Sequence, residues 1–326
     1  MRSTAVVFVS DVLDQNREFT IKSTNSEGNS YQAVCDIKAA LQQLFPKVYY
    51  YESPLQFAEN ADLHKNDIVL STYYGPASVE SKALVPSICE TYGIRYIGGS
   101  SYTQMLCNDK YLSKMYLRNY GLKTASAILL SNPNEEKELK SLEAIRYPAI
   151  VKPNYGGGSN GIVSGNVIDN YHDCKQYCKQ LFNYQHMPLI VEEYIPGFEV
   201  ELILAGNKQG VAFSQEVGIE IDSQDYFNNE IYGLESKKIH SISHNYLKTQ
   251  HIPKNDLLKI HKLFMSFNKV DFMRVDCRIN KNGTYILELS PDCFLGKSGG
   301  FYKGFEFQNF SYLDMFKLLF KYGLNE

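Results

Sequence analysis

The sequence MRVDCRINKNGTYILELS occupies residues 273–290. Before the turn KNG at 281–283, Arg274, Asp276 and Arg278 alternate with apolar residues, and after it Tyr285, Leu287 and Leu289 alternate with Ile286, Glu288 and Ser290. Such alternation is typical of half-buried strands. The segment therefore predicts a β-hairpin. With Gly283 left-handed in a three-residue loop, Asn280 would face Thr284, and this pairing fixes which residues lie opposite one another along the two strands.

The predicted hairpin brings two carboxylates together. Its register sets Asp276 opposite Glu288 and Arg274 opposite Ser290. Because like charges directly opposite one another are destabilising, the two carboxylates need a cation. Mg²⁺ is suitable, since it takes oxygen ligands, keeps waters and shares phosphate oxygens with a substrate. A surface lattice of ion pairs that includes Arg274 and Arg278 is the alternative.

The composition is that of a folded, weakly charged chain. It has 326 residues, 44% of them hydrophobic, which predicts two or three domains and excludes disorder, collagen and coiled coil as the main architecture. With 33 basic and 36 acidic residues, the net charge of -3 gives no field that would draw the chain onto nucleic acid or an anionic membrane. No apolar run approaches the roughly 18 residues that span a bilayer. We expect a small-molecule partner.

The cysteines indicate a reducing compartment. There are seven, at positions 35, 89, 107, 174, 178, 277 and 293, with no repeated spacing. An odd set of this kind argues against a secreted disulfide framework and favours the cytoplasm. Cys277 alternates with the charged residues of the hairpin, so we expect it to be a buried, inert thiol.

The order of predicted elements divides the chain into three parts and gives a mixed α/β and α+β fold class. Residues 1–100 alternate strands with helices, as in a parallel sheet. Residues 101–187 form a central part, and residues 188–326 change to strands joined by tight turns; within them, 222–243 is polar and is expected to be a mobile loop. The predicted strands are 5–9, 48–51, 67–71, 95–98, 124–129, 149–152, 189–193 and 199–204, and the predicted helices are 31–44, 79–92, 109–119 and 134–144.

A lysine stands at a strand end before a glycine-rich loop. The predicted strand AIVK at 149–152 ends in Lys152, and Pro153 and then GGGSNG at 156–161 follow it. Glycine has no Cβ and accepts positive φ, so the backbone N–H groups of such a loop can approach a polyphosphate closely. A flexible hairpin turn is the alternative. The sequence GKS at 296–298 is similar to the end of a P-loop, but Pro291 stands where that motif requires a glycine.

Five motifs follow one another along the chain: Asp109-Lys110, Lys152-Pro153 with the glycine loop, EEYIPGFE at 192–199, Arg274-Val275-Asp276 and Glu288-Leu289-Ser290. In their order and spacing they resemble the ATP-grasp superfamily, and within it the D-alanine:D-alanine ligase branch. The resemblance covers nearly the whole chain and includes GIRYIGG at 93–99. It implies an ATP-grasp fold preceded by an N-terminal parallel-sheet domain.

The resemblance implies an ATP site between the central and C-terminal parts. Two lysines would neutralise the α- and β-phosphates, a glycine loop would close over them, a short segment would line the adenine slot, and one carboxylate would bind the ribose. In that order, the residues are Lys110 and Lys152; Gly156, Gly157, Gly158, Ser159 and Gly161; Glu192, Glu193, Tyr194 and Ile195; and Glu199.

The resemblance also implies the metal and catalytic residues. Asp276 and Glu288 look like the carboxylates that bind Mg²⁺, and Ser290 stands where the family has an asparagine, so that Asp292 or a water would complete the metal site. Arg274 looks like the arginine that stabilises oxyanion charge. Lys237 is similar to the loop lysine that reaches the γ-phosphate, with an ordinary surface lysine as the alternative.

The implied reaction is an ADP-forming ligation. ATP would phosphorylate a carboxylate, and an amine would attack the acyl phosphate to give an amide. The protein would act by positioning and charge neutralisation under a loop that keeps water away. Family resemblance also suggests a homodimer.

Several positions implied in substrate binding depart from the alanine ligases. Tyr74-Gly75 stands in place of His-Gly, Pro291-Asp292-Cys293 in place of Pro-Gly, and Gly158 in place of a serine. The Gly-Gly and glutamate of the first loop are missing from residues 10–18. We therefore expect Tyr74, Gly75, Asp292 and Cys293 to bind an amino acid or small peptide precursor other than D-alanine. Two alternatives are transfer of the acyl group to a carrier protein and a nucleotide-binding homologue that has lost catalysis.

Overall fold

The computed structural model describes residues 4–13, 27–76, 78–158, 166–228, 242–246 and 251–324. Three β-sheets follow one another along this part of the chain. Their strand directions differ, the first sheet being parallel and the other two antiparallel. The mixed α/β and α+β fold class is thereby confirmed.

The first sheet is parallel, with strand order β2-β1-β3-β4. Residues 6–9 of its central β1 are fully buried, as expected for a continuous apolar run that is covered on both faces. Helices and two short 3-10 helices connect the strands. The strands are β1 (Val6–Val9), β2 (Val48–Tyr51), β3 (Ile68–Ser71) and β4 (Arg95–Ile97), the helices are α1 (Tyr31–Leu44), α2 (Pro54–Asn60) and α3 (Leu84–Tyr92), and the 3-10 helices are Ala61–His64 and Ser81–Ala83.

The helix ends follow from local sequence. The side chain of Ser30 accepts a hydrogen bond from the Ala33 N–H at 3.1 Å and so caps α1. Gly93 ends α3 with φ of 67°, a left-handed conformation that glycine adopts without a Cβ penalty. The helix predicted over 31–44 is confirmed. The one predicted over 79–92 begins as a 3-10 turn and becomes α-helical at Leu84.

The second sheet is antiparallel, with strand order β5-β8-β6-β7. Its strand β8 (Leu189–Glu193) lies after residue 187, where the sequence predicts the end of the central part; the division into three domains stays a prediction. The helix predicted over 109–119 is confirmed as α5, and a further helix, α4, precedes it at residues where the sequence predicts none. The other strands are β5 (Ala127–Leu130), β6 (Ala149–Pro153) and β7 (Val167–Ile168), and the helices are α4 (Ser101–Asn108), α5 (Lys110–Asn119), α6 (Glu136–Lys140) and α7 (Tyr171–Gln185), with a 3-10 helix at Ser141–Ala144.

The third sheet is antiparallel, with strand order β12-β10-β9-β13-β14 and β11 paired to β9. Of the predicted loop 222–243, residues 229–241 lie outside the described residues, while β11 and the start of β12 are strands. The strands are β9 (Gly197–Asn207), β10 (Gly210–Ile221), β11 (Tyr226–Phe227), β12 (Ile242–Tyr246), β13 (Phe272–Asn280) and β14 (Gly283–Ser290), and the helices are α8 (Lys254–Ser266), α9 (Gly300–Phe307) and α10 (Tyr312–Gly323).

The β13–β14 hairpin exists, but its loop differs from the prediction. Asn280 pairs with Gly283 rather than with Thr284, so the loop has two residues instead of three. The register then shifts between Asp276 and Cys277, where Leu287 of β14 has no partner on β13. This β-bulge places one extra residue in β14, and the extra residue compensates for the loop being one residue shorter than predicted. As a result, the predicted pairing at the functional end of the hairpin is nevertheless present.

The first and third sheets share one hydrophobic core, and α10 lies within it. Buried side chains of the first sheet and its helix α1 pack with those of the third sheet and its helix α9. Burial of this apolar surface fixes the two sheets relative to each other. Members of this cluster include Phe8, Leu41, Ile203, Phe301, Phe316, Leu319 and Phe320.

All seven cysteines lie within the described residues and are free thiols. Cys277 is fully buried, as expected. In the part of the chain that the structure describes, no helix is long and apolar enough to cross a membrane.

The shared core predicts that shortening one buried side chain of α10 lowers the stability of the protein strongly. Replacing the fully buried Leu319 with alanine should lower the free energy of unfolding by about 2–5 kcal/mol, because transfer free energy is lost and a cavity remains. Leu63→Ala is the matched control, since that side chain is 76% exposed and should change stability little. Urea unfolding followed by circular dichroism measures both. Equal losses in the two variants would contradict the shared core.

Candidate functional site

A cavity of about 420 Å³ is lined by residues of all three sheets and their loops. Glu27 and Tyr74 contribute from the first part of the chain, Lys152 from β6, and Asp276 and Glu288 from β13 and β14. Its volume is in the range of small-molecule binding sites.

Most residues predicted from the sequence as site residues line this cavity. Three others, Ser159, Gly161 and Lys237, lie outside the described residues. Gly75 is not among the lining residues; its N–H donates to Oδ2 of Asp11 at 2.9 Å. The predicted residues that line the cavity are Tyr74, Lys110, Lys152, Gly156, Gly157, Gly158, Glu192, Glu193, Tyr194, Ile195, Glu199, Arg274, Asp276, Glu288, Ser290, Asp292 and Cys293.

Three carboxylates form a row across neighbouring strands. Glu201 on β9 pairs with Asp276 on β13, which pairs with Glu288 on β14. All three line the cavity, because directly paired residues point to the same face of a sheet. We call them the carboxylate row. Side chains of like charge at this spacing repel one another, so cations must stand beside them.

Arg274 is the cation closest to the centre of the carboxylate row. Its Nε lies 2.6 Å from Oδ1 of Asp276 and its Nη2 lies 2.8 Å from Oδ2, a bidentate pair. Its Nη1 is 3.5 Å from Oε1 of Glu201. The surface lattice considered from the sequence is therefore not what forms, because these side chains are largely buried in the cavity wall.

The pKa values of the two facing carboxylates are shifted in opposite directions. Burial raises the pKa of Asp276 to about 7, although Arg274 acts in the opposite direction. Burial also acts on Glu288, but Lys110 and Lys152 outweigh it and hold the pKa of Glu288 at about 2. Glu288 is therefore charged near neutral pH, whereas the buried Asp276 takes up a proton more readily than an exposed carboxyl does.

The two predicted phosphate-binding lysines face the same part of the cavity. The ammonium of Lys110 donates to the Gly156 carbonyl and lies 3.5 Å from Oε1 of Glu288. The Nζ atom of Lys152 is 3.1 Å from Oε2 of Glu192. Burial lowers the pKa of Lys110; for Lys152 burial is outweighed by Glu192 and Glu288, which raise its pKa. Both lysines thus stand beside fixed carboxylates.

Glu192 orients lysines with its side chain. Its Oε1 is 3.1 Å from Nζ of Lys114, a fully buried residue, while its Oε2 binds Lys152. Lys114 also donates to the carbonyl of Leu287, the bulge residue, at 3.2 Å. A contribution of Glu192 to the adenine slot would therefore come from its backbone, as the resemblance implies in part.

The end of the cavity near the predicted substrate residues contains a buried charge cluster. Lys82 binds Glu27 at 2.9 Å and also binds Asp292. Oε2 of Glu27 accepts a hydrogen bond from the Gly157 N–H at 2.8 Å, which ties this end to the glycine-rich loop. Within the described residues the buried hydroxyl of Tyr74 has no hydrogen-bond partner. This end therefore combines paired charges with an unsatisfied hydroxyl.

Cys293 lies beside this cluster and is buried. Burial raises the pKa of its thiol well above the usual range, although Arg274 acts in the opposite direction. The thiolate is the nucleophilic form of cysteine. Cys293 is therefore suited to shaping the cavity rather than to attack.

Sequence reasoning did not assign Glu27, Lys82, Lys114 or Glu201, and it treated Arg278 only as part of a surface lattice. Strand alternation could have found Glu201, since it lies two residues after Glu199 on the same face of β9. Nothing local marks Glu27 and Lys82, which are 55 residues apart in the chain.

The donor set at the hairpin suits Mg²⁺. Asp276, Glu288 and Ser290 offer oxygen atoms on adjacent strands. Among the described residues, no three His, Cys, Asp or Glu side chains could hold a metal by themselves. A metal here would depend on waters and on oxygens of a bound phosphate, which is how Mg²⁺ is usually held.

Comparisons with known proteins identify similar chains. Residues 117–292, more than half of the chain, match the family model described as D-ala D-ala ligase C-terminus. A D-alanine–D-alanine ligase of Helicobacter pylori is 24% identical over 282 residues, which are 86% of this chain and 77% of that protein.

Solved structures share the fold. The D-alanine–D-alanine ligase of Bacillus anthracis complexed with ATP has a TM-score of 0.74 and 15% identity, and covers 99% of this chain and 98% of its own. The VanG D-Ala:D-Ser ligase of Enterococcus faecalis has a TM-score of 0.71 and 18% identity, with coverage of 99% and 100%. At this identity the likeness shows the fold alone.

The buried charge cluster predicts that Lys82 is important for stability. Lys82→Met would leave Glu27 and Asp292 buried without their cation, and should lower the free energy of unfolding by about 3–5 kcal/mol. Lys65→Met breaks an exposed pair with Asp62 and should leave the unfolding midpoint almost unchanged. Urea titration compares the variants. Similar midpoints would show that the cluster is not a structural requirement.

Proposed function

The chain belongs to the D-Ala–D-Ala ligase family of ATP-dependent ligases that form carbon–nitrogen bonds, and we propose that it joins an amino acid other than D-alanine to an amine through an acyl phosphate. The observation that supports this most strongly is the facing of Asp276 and Glu288 across the hairpin, with Lys110 and Lys152 in the same cavity. This arrangement combines carboxylates for a metal with cations for phosphates.

The lysines would bind the polyphosphate of ATP. Lys110 and Lys152 would neutralise the α- and β-phosphates, and Glu192 would keep Lys152 at its place. The backbone of Gly156, Gly157 and Gly158 would approach the phosphates closely, as the absence of side chains permits. Phosphoryl transfer needs little more from a protein than positioning and charge neutralisation.

Asp276 and Glu288 would hold Mg²⁺, with Ser290 or a water beside them. When bound, the metal supplies positive charge to the phosphate oxygens and lowers the cost of charge development there. The protein would contribute two oxygen donors at fixed positions and the buried surroundings that strengthen their effect.

Arg274 would stabilise the oxyanion that forms when the amine attacks the acyl phosphate. Its guanidinium is held by Asp276 and Glu201, so little reorganisation is needed when charge develops. No nucleophilic side chain is required, which agrees with the raised pKa of the Cys293 thiol. ADP would be released when ATP phosphorylates the carboxylate, and phosphate would leave when the amine displaces it to form the amide.

The proposed difference in substrate rests on the end of the cavity near Tyr74, Asp292 and Cys293. Lys82, Glu27 and Asp292 fix the charges there, and among the described residues the Tyr74 hydroxyl has no hydrogen-bond partner. Polar contacts of this kind select substrates strongly, because a substrate that leaves them unpaired is penalised. One protein with this fold is a D-Ala:D-Ser ligase, so the fold is not confined to D-alanine as second substrate.

Product formation tests the proposal directly. The purified chain is incubated with ATP, Mg²⁺ and pooled L- and D-amino acids, and ADP release and product masses are measured in the same tubes. We expect ADP release that depends on the pool, and a new mass equal to two components minus one water. ATP binding without such release would contradict the proposal and favour acyl transfer to a carrier protein, or a homologue without catalysis.

The metal assignment predicts the effect of one substitution. Glu288→Gln removes a charge from the proposed metal site and should lower kcat by roughly 100-fold or more, as loss of one preorganised charge stabilisation commonly does. Glu306→Gln changes an exposed glutamate that binds Lys303 at 2.6 Å and should leave kcat unchanged. Steady-state ADP release measures both. Full turnover of the Glu288 variant would show that the metal is bound elsewhere.

A further inference from the structure

Arg278 lies on the cavity wall in a position that the ligation mechanism above does not use. It is on β13, directly opposite Glu199 of β9, and only 5% of it is exposed. Its Nε and Nη2 each lie 2.6 Å from Oε2 of Glu199. The third nitrogen, Nη1, donates to the Tyr194 hydroxyl at 3.1 Å and to the Ile195 carbonyl at 3.2 Å. One guanidinium thus joins the proposed ribose carboxylate to the proposed adenine segment.

Aromatic rings hold this guanidinium in place. The ring centroids of Phe227 and Tyr194 lie 4.9 and 5.5 Å from the central carbon of Arg278. A cation near aromatic faces is stabilised by the ring quadrupoles, and more so when it is shielded from water. Arg278 therefore has little freedom to adopt another conformation.

The geometry leaves one oxygen of Glu199 outside the pair. Both contacts from Arg278 end on Oε2, so they leave Oε1 for other donors, and a carboxylate accepts several hydrogen bonds in total. The Glu199 side chain lines the cavity and is 11% exposed. Arg278 thus fixes the orientation of Oε1 and the position of the Ile195 carbonyl together. Lysine could not reproduce this, since it lacks the planar fork.

We propose that Arg278 is a positioning residue that makes nucleotide binding depend on intact ribose hydroxyls, by holding Glu199 at one oxygen so that the other faces the sugar. The inference rests on the proposed function, in which Glu199 binds the ribose of ATP. A rigid acceptor rejects a nucleotide that lacks the matching hydroxyl, because the carboxylate then stays desolvated without a donor. A carboxylate that can rotate would lose this discrimination.

Binding of nucleotide analogues tests the proposal without turnover. Dissociation constants for ATP, 2′-deoxy-ATP and 3′-deoxy-ATP are measured by isothermal titration calorimetry on the wild-type chain, Arg278→Met and Arg278→Lys. The wild type should prefer ATP to at least one deoxy analogue by about 10-fold or more, the contribution of a hydrogen bond to a charged group. In Arg278→Met the ratio of the deoxy-analogue dissociation constant to that of ATP should fall towards one. Arg278→Lys should keep only part of the wild-type preference for ATP. Arg95→Met, at an exposed residue, should keep the wild-type ratio.

A structural role alone would give a different result. It would lower stability and all affinities together, whereas a positioning role changes the ratio between ATP and its deoxy analogues and raises the KM for ATP without raising the KM for the amine. If Arg278→Met does not fold, the same ratio of dissociation constants is measured on Arg278→Lys and on Tyr194→Phe, and these two variants test the proposal. An unchanged ratio in the folded variants would overturn the inference, as would a wild type that binds ATP and both analogues equally. A wild type that binds no ATP would instead overturn the proposed function.

Discussion

Three carboxylates in register across neighbouring strands impose the main electrostatic constraint on this protein. Glu201, Asp276 and Glu288 face one cavity, and their repulsion must be balanced within a few ångströms. Arg274 binds the central carboxylate and approaches Glu201, while Lys110 lies next to Glu288. Arg274 lies on β13, the same strand as Asp276, whereas Lys110 begins α5 and approaches the row from outside the third sheet. Together they place positive charge where a polyphosphate is proposed to bind.

The sequence predicted those parts that depend on local periodicity. The helix at 31–44 and the strand at 189–193 are at the predicted residues, because a helical apolar pattern and a short continuous apolar run specify them without reference to the rest of the chain. The pairing of Asp276 with Glu288 was also correct, although the predicted loop was wrong. The bulge at Leu287 compensates for the shorter turn, and the hydrophobic alternation needed to bury one face requires such compensation.

The remaining features depend on contacts between distant residues. Helix α4 was missed because its buried face is defined by packing against neighbouring elements rather than by a strong pattern of its own. Lys82 has no partner near it in the sequence; it is placed by Glu27 and Asp292, which approach from opposite ends of the chain. Arg278 was visible in the sequence, but its partner Glu199 could be recognised only once β9 was known to lie beside β13. A pattern read along one strand does not show which strand is its neighbour.

The core shared by the first and third sheets has a consequence for the order of biosynthesis. Phe8 of β1 packs in the same cluster as Phe316 and Phe320 of α10, yet β1 begins at Val6 and α10 at Tyr312. Helix α1 covers part of this face of the first sheet, but during translation the side chains that pack against α10 remain uncovered until α10 leaves the ribosome exit tunnel. An apolar surface exposed for that time is a binding site for chaperones and a risk for aggregation. The nascent chain thus completes its N-terminal layer last.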